Sequence, residues 1–111
     1  ETGVSNNIVN VPLPPGCTSD VFRSQVSAEL LPRLRAFNPQ LLIISAGFDA
    51  HTLDPLASLN FTYEDYRWIT EELKQIAEEC CQGRIVSVLE GGYSLEGLAS
   101  GTAAHVKALM S

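Results

Sequence analysis

Gln40-Leu41-Leu42-Ile43-Ile44-Ser45-Ala46-Gly47-Phe48-Asp49 decides how this chain folds. The apolar run from Leu41 to Ala46 has the length of one strand, and it is continuous rather than alternating. Such a run suits a strand in a parallel sheet, with both faces covered. Asn38-Pro39 breaks the chain just before it, and a long loop from Gly47 to Phe61 follows, carrying Asp49, His51 and Asp54-Pro55-Leu56.

A second run of the same kind, Arg84-Ile85-Val86-Ser87-Val88-Leu89, leads into Glu90-Gly91-Gly92-Tyr93-Ser94-Leu95. Each loop therefore follows a strand and precedes an amphipathic stretch. Open α/β sheets place their chemistry at that edge, beyond the carboxyl ends of the strands. The carboxylate of Asp49 and the phenol of Tyr93 are expected to face one pocket.

The remaining elements are legible from periodicity. Ile8 or Val9 and Val11 alternate with polar neighbours through Asn7–Leu13, and Pro14-Pro15-Gly16 ends the stretch, which reads as a short strand. Thr18 or Ser19 caps a helix over Asp20–Phe37, with Phe22, Val26, Leu30, Leu34 and Phe37 at helical spacing. Pro32 lacks a donor and crowds the preceding turn, so this helix should kink or restart there.

Thr62, with Glu64 and Asp65 behind it, caps the next helix. Its apolar stripe is Tyr66, Ile69, Leu73, Ile76, Ala77 and Cys80, and Gly83 ends it. Ser94 caps the last helix, whose inner face reads as Leu95, Leu98, Ala99, Thr102, Ala103, Val106 and Leu109. Strand and helix thus alternate three times, which favours parallel pairing with right-handed crossovers. The predicted fold class is α/β, a three-layer α/β/α arrangement over residues 1–111 as one domain. Three strands make a thin parallel sheet, so further strands are expected in a partner chain or in sequence beyond this stretch.

Composition narrows the function classes. Of 111 residues, 45% are hydrophobic and 18% charged, which is globular rather than disordered and somewhat rich in apolar side chains for so short a chain. Part of that apolar surface is expected against another segment or subunit. The formal charge of −6 and the lack of a Lys/Arg patch argue against nucleic acid as a partner. No apolar run approaches the roughly 20 residues needed to cross a bilayer. The three cysteines, Cys17, Cys80 and Cys81, have neither zinc-finger nor redox spacing, which points to reduced thiols and a cytoplasmic setting. Cys80 reads as core and Cys81 as its partly exposed neighbour. The start at Glu1 rather than Met suggests a piece of a longer protein.

Three motifs then converge. Asn10-Val-Pro-Leu-Pro-Pro-Gly16, Ser45-Ala-Gly-Phe-Asp49-Ala-His51 with Asp54-Pro55-Leu56, and Leu89-Glu-Gly-Gly-Tyr93 resemble, in order and spacing, the C-terminal portion of the zinc-dependent histone deacetylase superfamily. That superfamily includes acetylpolyamine amidohydrolases and acetoin-utilisation proteins. The resemblance implies a partial arginase/deacetylase-like fold and hydrolysis of an N-acyl amine such as acetyl-lysine or acetylpolyamine. It also implies Asp49 as a zinc ligand and Tyr93 as the catalytic group that polarises the substrate carbonyl. Pro55 and Leu56 resemble the wall of the acyl channel, and Gly91 and Gly92 the backbone beside the bound acyl group.

The chemistry suits those residue types. A catalytic zinc keeps three protein ligands and one open position, and a phenol aimed at a developing oxyanion stabilises it. The family's other ligands, an Asp and a His of a D-x-H element, and its paired histidines lie upstream of this stretch. The chain alone is therefore expected neither to retain zinc nor to hydrolyse acetyl-lysine.

Residue by residue, plainer roles compete. Asp49 on its own would more often form a turn, and Tyr93 would be a half-buried aromatic after a tight Gly-Gly turn. Asp54 before Pro55 reads as a turn former, His51 as a loop imidazole rather than a ligand, and His105 as helix surface or rim. Of Phe61, Tyr63, Tyr66 and Trp68, helical spacing turns Tyr66 inward, and no base-stacking platform is expected. The alternative function is a non-catalytic module of the same descent that self-associates, as a homo-oligomer, or binds a partner through its sheet edge.

Overall fold

Two five-residue strands, β1 (Leu42–Ala46) and β2 (Ile85–Leu89), lie side by side in the computed structural model, which describes residues 3–49 and 61–111. They pair in parallel with Leu42 opposite Ile85, Ile44 opposite Ser87 and Ala46 opposite Leu89. Ahead of β1 stand α1 (Ser19–Gln25), a wide π turn (Val26–Leu30) and α2 (Leu31–Phe37). Between the strands runs α3 (Tyr63–Cys81), and after β2 comes α4 (Leu95–Met110).

The π turn is the structural answer to Pro32. The N–H of Leu31 bonds back five residues to the carbonyl of Val26. Widening the turn by one residue makes room for a ring that would otherwise crowd the carbonyl of Ala28. The helix then restarts with Pro32 near its new N-terminus, where a missing N–H costs little. Asn38 ends α2 in the left-handed conformation at φ 57°.

Three apolar clusters hold the helices to one face of the sheet. Leu42 of β1 packs with Ala77 and Cys81 of α3, supported by Ile44, Ile85 and Leu34. Val26, Leu31 and Ile76 form a second cluster with Ile69, Leu73 and Trp68. Phe48, Phe61, Tyr66 and Cys17 form a third, beyond the end of β1. Ile76 is wholly enclosed, and burying such a side chain stabilises the fold by about 1.5–3 kcal/mol. The opposite face of the sheet carries Ile43, Val86 and Val88, and Ile43 is 62% exposed. Among the described residues, α2 and α3 pack on the first face beside Leu42 and α4 meets it at Ser87.

A buried carboxylate ties α1 to α3. Asp65 is 1% exposed. It accepts from the Thr62 N–H at 3.0 Å, the Ser19 hydroxyl at 2.6 Å and the Arg23 guanidinium at 3.3 Å. The first of these closes the start of α3, as expected of an acidic residue three positions past a threonine cap. Arg23 also lies 5.3 Å from the centre of the Trp68 ring. These contacts together hold α1 to the start of α3.

Several sequence expectations need correction. Residues 7–13 do not form a strand: the segment is extended without β pairing, so the described sheet has two strands rather than three. Pro12 and the following prolines have no N–H to give a ladder. Val11 and Leu13 instead tuck into the second and third clusters. Cys81 is buried and Cys80 half-buried, the reverse of the expectation, because Ala77 and Cys81, one turn apart, are the pair that faces Leu42.

The last helix also turns a different face inward. Gly97, Gly101, Ala104, His105 and Ala108 are buried, whereas Leu95 and Val106 are exposed. α4 has two apolar faces, and the one with the smaller side chains wins the contact with α3, because small residues let the two helices come close. Phe61 and Tyr66 are both buried, so the inward turn of Tyr66 holds and Phe61 joins it.

Candidate functional site

The two strand ends stay zipped together past the last residues of the strands. Glu90 donates its N–H to Ala46 O at 2.9 Å, and Phe48 donates its own to Gly91 O at 2.7 Å. This extended ladder carries Asp49 and the Gly91-Gly92-Tyr93 segment to the same edge. Asp49 is half-buried there, and a Cβ placed on Gly91 would stand 3.2 Å from its Cγ and 3.3 Å from Oδ2. A Cβ on Gly47 would stand 3.1 Å from Oδ1. The carboxylate thus rests between two bare backbones, one from each loop.

Gly92 has φ 150°, a conformation that side chains resist. A Cβ there would meet Leu98 Cδ1 at 2.9 Å. The turn can therefore press against α4 only as glycine. Tyr93 follows it directly, 59% exposed, and Ser94 then caps α4 by accepting the Gly97 N–H at 3.2 Å. Of the residues singled out in the sequence, Asp49, Gly91 and Gly92 are brought together around Phe48, and exposed Tyr93 follows Gly92 directly in the chain. Pro55 and Leu56, like His51 and Asp54, lie outside the described residues.

Sequence reasoning missed the group beneath this edge. His105 is not at a helix rim but 7% exposed, clamped between α3 and β2. Its Nδ1 lies 2.8 Å from Thr70 Oγ1 and its Nε2 2.8 Å from Ser87 Oγ. Thr70 spends its own proton on Tyr66 O at 2.6 Å, so its oxygen accepts from Nδ1–H. Nε2 then accepts the Ser87 hydroxyl proton, and the network defines the neutral Nδ1–H tautomer. Burial pushes the imidazole below its ordinary value of 6.5. A polar Ser87 in the middle of an apolar strand, and His105 four residues past Gly101, were the signals available in the sequence.

Phe48 joins this group to the loops. Its ring lies 5.8 Å from that of His105 at 64° and 5.0 Å from that of Tyr66. A Cβ on Gly101 would meet its Cδ1 at 2.7 Å. Beside it, Ile44, Ser45, Gly47, Thr70 and Leu73 enclose a cavity of about 290 Å³ whose wall includes His105 and Asp65.

The site the fold defines is thus a parallel α/β edge with a carboxylate at one strand end and a Gly-Gly-Tyr turn at the next. Comparison with known proteins makes this specific: a family model described as the histone deacetylase domain matches residues 1–109, and the chain belongs to that family.

Histone deacetylase 14, chloroplastic, of Arabidopsis thaliana is 42% identical over 102 residues, which is 92% of this chain and 24% of the relative. Type-2 histone deacetylase 1 of Dictyostelium discoideum is 45% identical over 103 residues, 93% of this chain and 7% of that protein. The crystal structure of the HDA15 HD domain superposes with a TM-score of 0.79 at 35% identity, covering 90% of this chain and 28% of that one. The described α/β architecture is therefore that of a deacetylase domain, and the chain spans about a quarter or less of the two curated relatives' length.

The family implies zinc. Among the described residues no group of three or more His, Cys, Asp or Glu side chains gathers to hold a metal ion. Asp49 is a single carboxylate donor, and one carboxylate does not make the three-ligand set of a catalytic zinc. These residues fit a share of such a site and not the whole of it.

Proposed function

We propose that this chain is the C-terminal portion of a zinc-dependent deacylase that hydrolyses N-acyl amines, acetyl-lysine or acetylpolyamine among them. The observation that carries the reading is the seating of the Asp49 carboxylate against Gly91, across two parallel strand ends held by the Phe48–Gly91 hydrogen bond. Asp49 supplies one metal ligand, and the rest come from residues outside this sequence. Zinc, when bound, supplies Lewis acidity and an activated water. Tyr93 donates a hydrogen bond from its phenol to the acyl oxygen, where negative charge develops. Gly91 and Gly92 let the acyl group approach the backbone.

The test is metal content and hydrolysis by the full-length protein that carries these residues, assayed with an acetyl-lysine peptide and an acetylpolyamine. Asp49→Ala is expected to lose zinc. Tyr93→Phe is expected to keep it and lose about 10²–10³ in kcat, the loss expected for removing an oxyanion donor. Full zinc retention by Asp49→Ala would overturn the reading. The 111-residue chain alone is expected to hold no zinc.

A second reading is favoured by the bare sheet face. Ile43, Val86 and Val88 are each about half exposed or more, and such a face suits a covering surface from another chain. Sedimentation of the 111-residue chain tests it: a stable dimer supports a self-associating module, and a monomer at micromolar concentration removes it.

A further inference from the structure

We infer that His105 is a positioning residue for the site: braced by Thr70 and Ser87, it fixes Phe48 and, through Phe48, the relative placement of Asp49 and the Gly91–Tyr93 turn. The inference rests on the deacylase reading for its functional consequence, and on the geometry alone for its structural one.

The brace joins three elements through one ring. Thr70 is on α3, Ser87 on β2 and His105 on α4. The Ser87–His105 bond spans eighteen residues and closes the two ends of the segment that contains Gly91, Gly92 and Tyr93. Whatever tilts α4 on β2 therefore moves the turn between them. Phe48 senses the same tilt, because it packs edge-on against His105 and fills the space left by Gly101. Phe48 in turn donates to Gly91 and precedes Asp49 in the chain.

Among the described residues no spare partner softens the arrangement. The Thr70 proton is committed to Tyr66 O, so each imidazole nitrogen has one hydroxyl and each bond has one direction. Losing either hydroxyl leaves a buried ring nitrogen unmatched, which costs more than the bond itself was worth. A merely space-filling residue would lack this dependence on donor and acceptor sense.

The experiment compares Ser87→Ala, Thr70→Val and Thr70→Ser in the full-length protein with wild type, by amide hydrogen exchange and by kcat and KM on an acetyl-lysine peptide. Ser87→Ala and Thr70→Val are expected to speed exchange at the Phe48 amide about tenfold relative to Ile76 in α3, the effect of losing roughly one buried hydrogen bond. They are also expected to lower kcat with KM little changed. Thr70→Ser keeps the acceptor and should restore both. Two variants at opposite ends of the ring guard against one that fails to fold.

Equal acceleration at Phe48 and Ile76 would mean general loosening and would overturn the inference, as would unchanged exchange at Phe48 in both hydroxyl-deleting variants. If wild type neither binds zinc nor hydrolyses the peptide, the deacylase reading fails, and the exchange ratio still decides the brace.

Discussion

The backbone of Gly91 lies so close to Asp49 that a methyl group added to it would stand 3.2 Å from the carboxylate carbon. The residue that presents the carboxylate and the residue that limits where it can rest come from different strand ends, far apart in sequence. Their relation depends on the register of β1 on β2, in which Ala46 faces Leu89.

Gly91→Ala should therefore displace Asp49 rather than unfold the protein. The methyl must push the carboxylate aside slightly or turn it away. Zinc affinity of the full-length protein is expected to fall about tenfold or more, as when groups that orient a ligand are altered. Zinc titration against a competing chelator reads the change, and unaltered affinity would show that the seat does not constrain the ligand.

Gly101→Ala sets two effects against each other. Alanine in a helix interior is favoured over glycine by roughly 0.5–1 kcal/mol. The new methyl, however, would meet Phe48 Cδ1 at 2.7 Å and Tyr66 Cδ2 at 3.4 Å, and overpacking costs about 1–3 kcal/mol. The clash wins, because Phe48 is confined by Gly92 and His105 on its other sides. The melting midpoint should drop by several degrees, and a rise would mean that α4 can shift to absorb the methyl.

The buried imidazole makes stability depend on pH. Its folded value lies below the ordinary 6.5, so in the window beneath 6.5 the unfolded chain takes up a proton that the folded chain resists. Stability is then fully present above 6.5 and declines as pH falls toward the folded value. His105→Gln should flatten the profile there. The Asp65 carboxylate borders the same cavity, so the comparison is between variant and wild type at each pH. Denaturant midpoints from about pH 7.5 to about pH 5 measure it, and parallel profiles would show that His105 is not the group responsible.

Much of the site was legible because its parts are local. A continuous apolar run followed by a glycine and a carboxylate, and a second run followed by Gly-Gly-Tyr, are enough to put Asp49 and Tyr93 at strand ends. The same reading failed where two solutions satisfied one pattern. Residues 7–13 alternate like a strand, yet Pro12 and the neighbouring prolines deny it a ladder, and its apolar side chains serve the helices instead. In α4 the stripe from Leu95 to Leu109 is the more apolar, while the stripe through Gly101 is the one that can come close to α3.

Periodicity, prolines and glycines, and short motifs were sufficient for the order β1, α3, β2 and α4, for the break at Pro32, and for the family, because each of these is written within a few neighbouring residues. Three-dimensional packing alone chose which face of α4 is inside, buried Cys81 in preference to Cys80, and set His105 under the site. Those outcomes depend on contacts between residues far apart in sequence, where side-chain volume and hydrogen-bond direction select among arrangements that the linear pattern leaves equal.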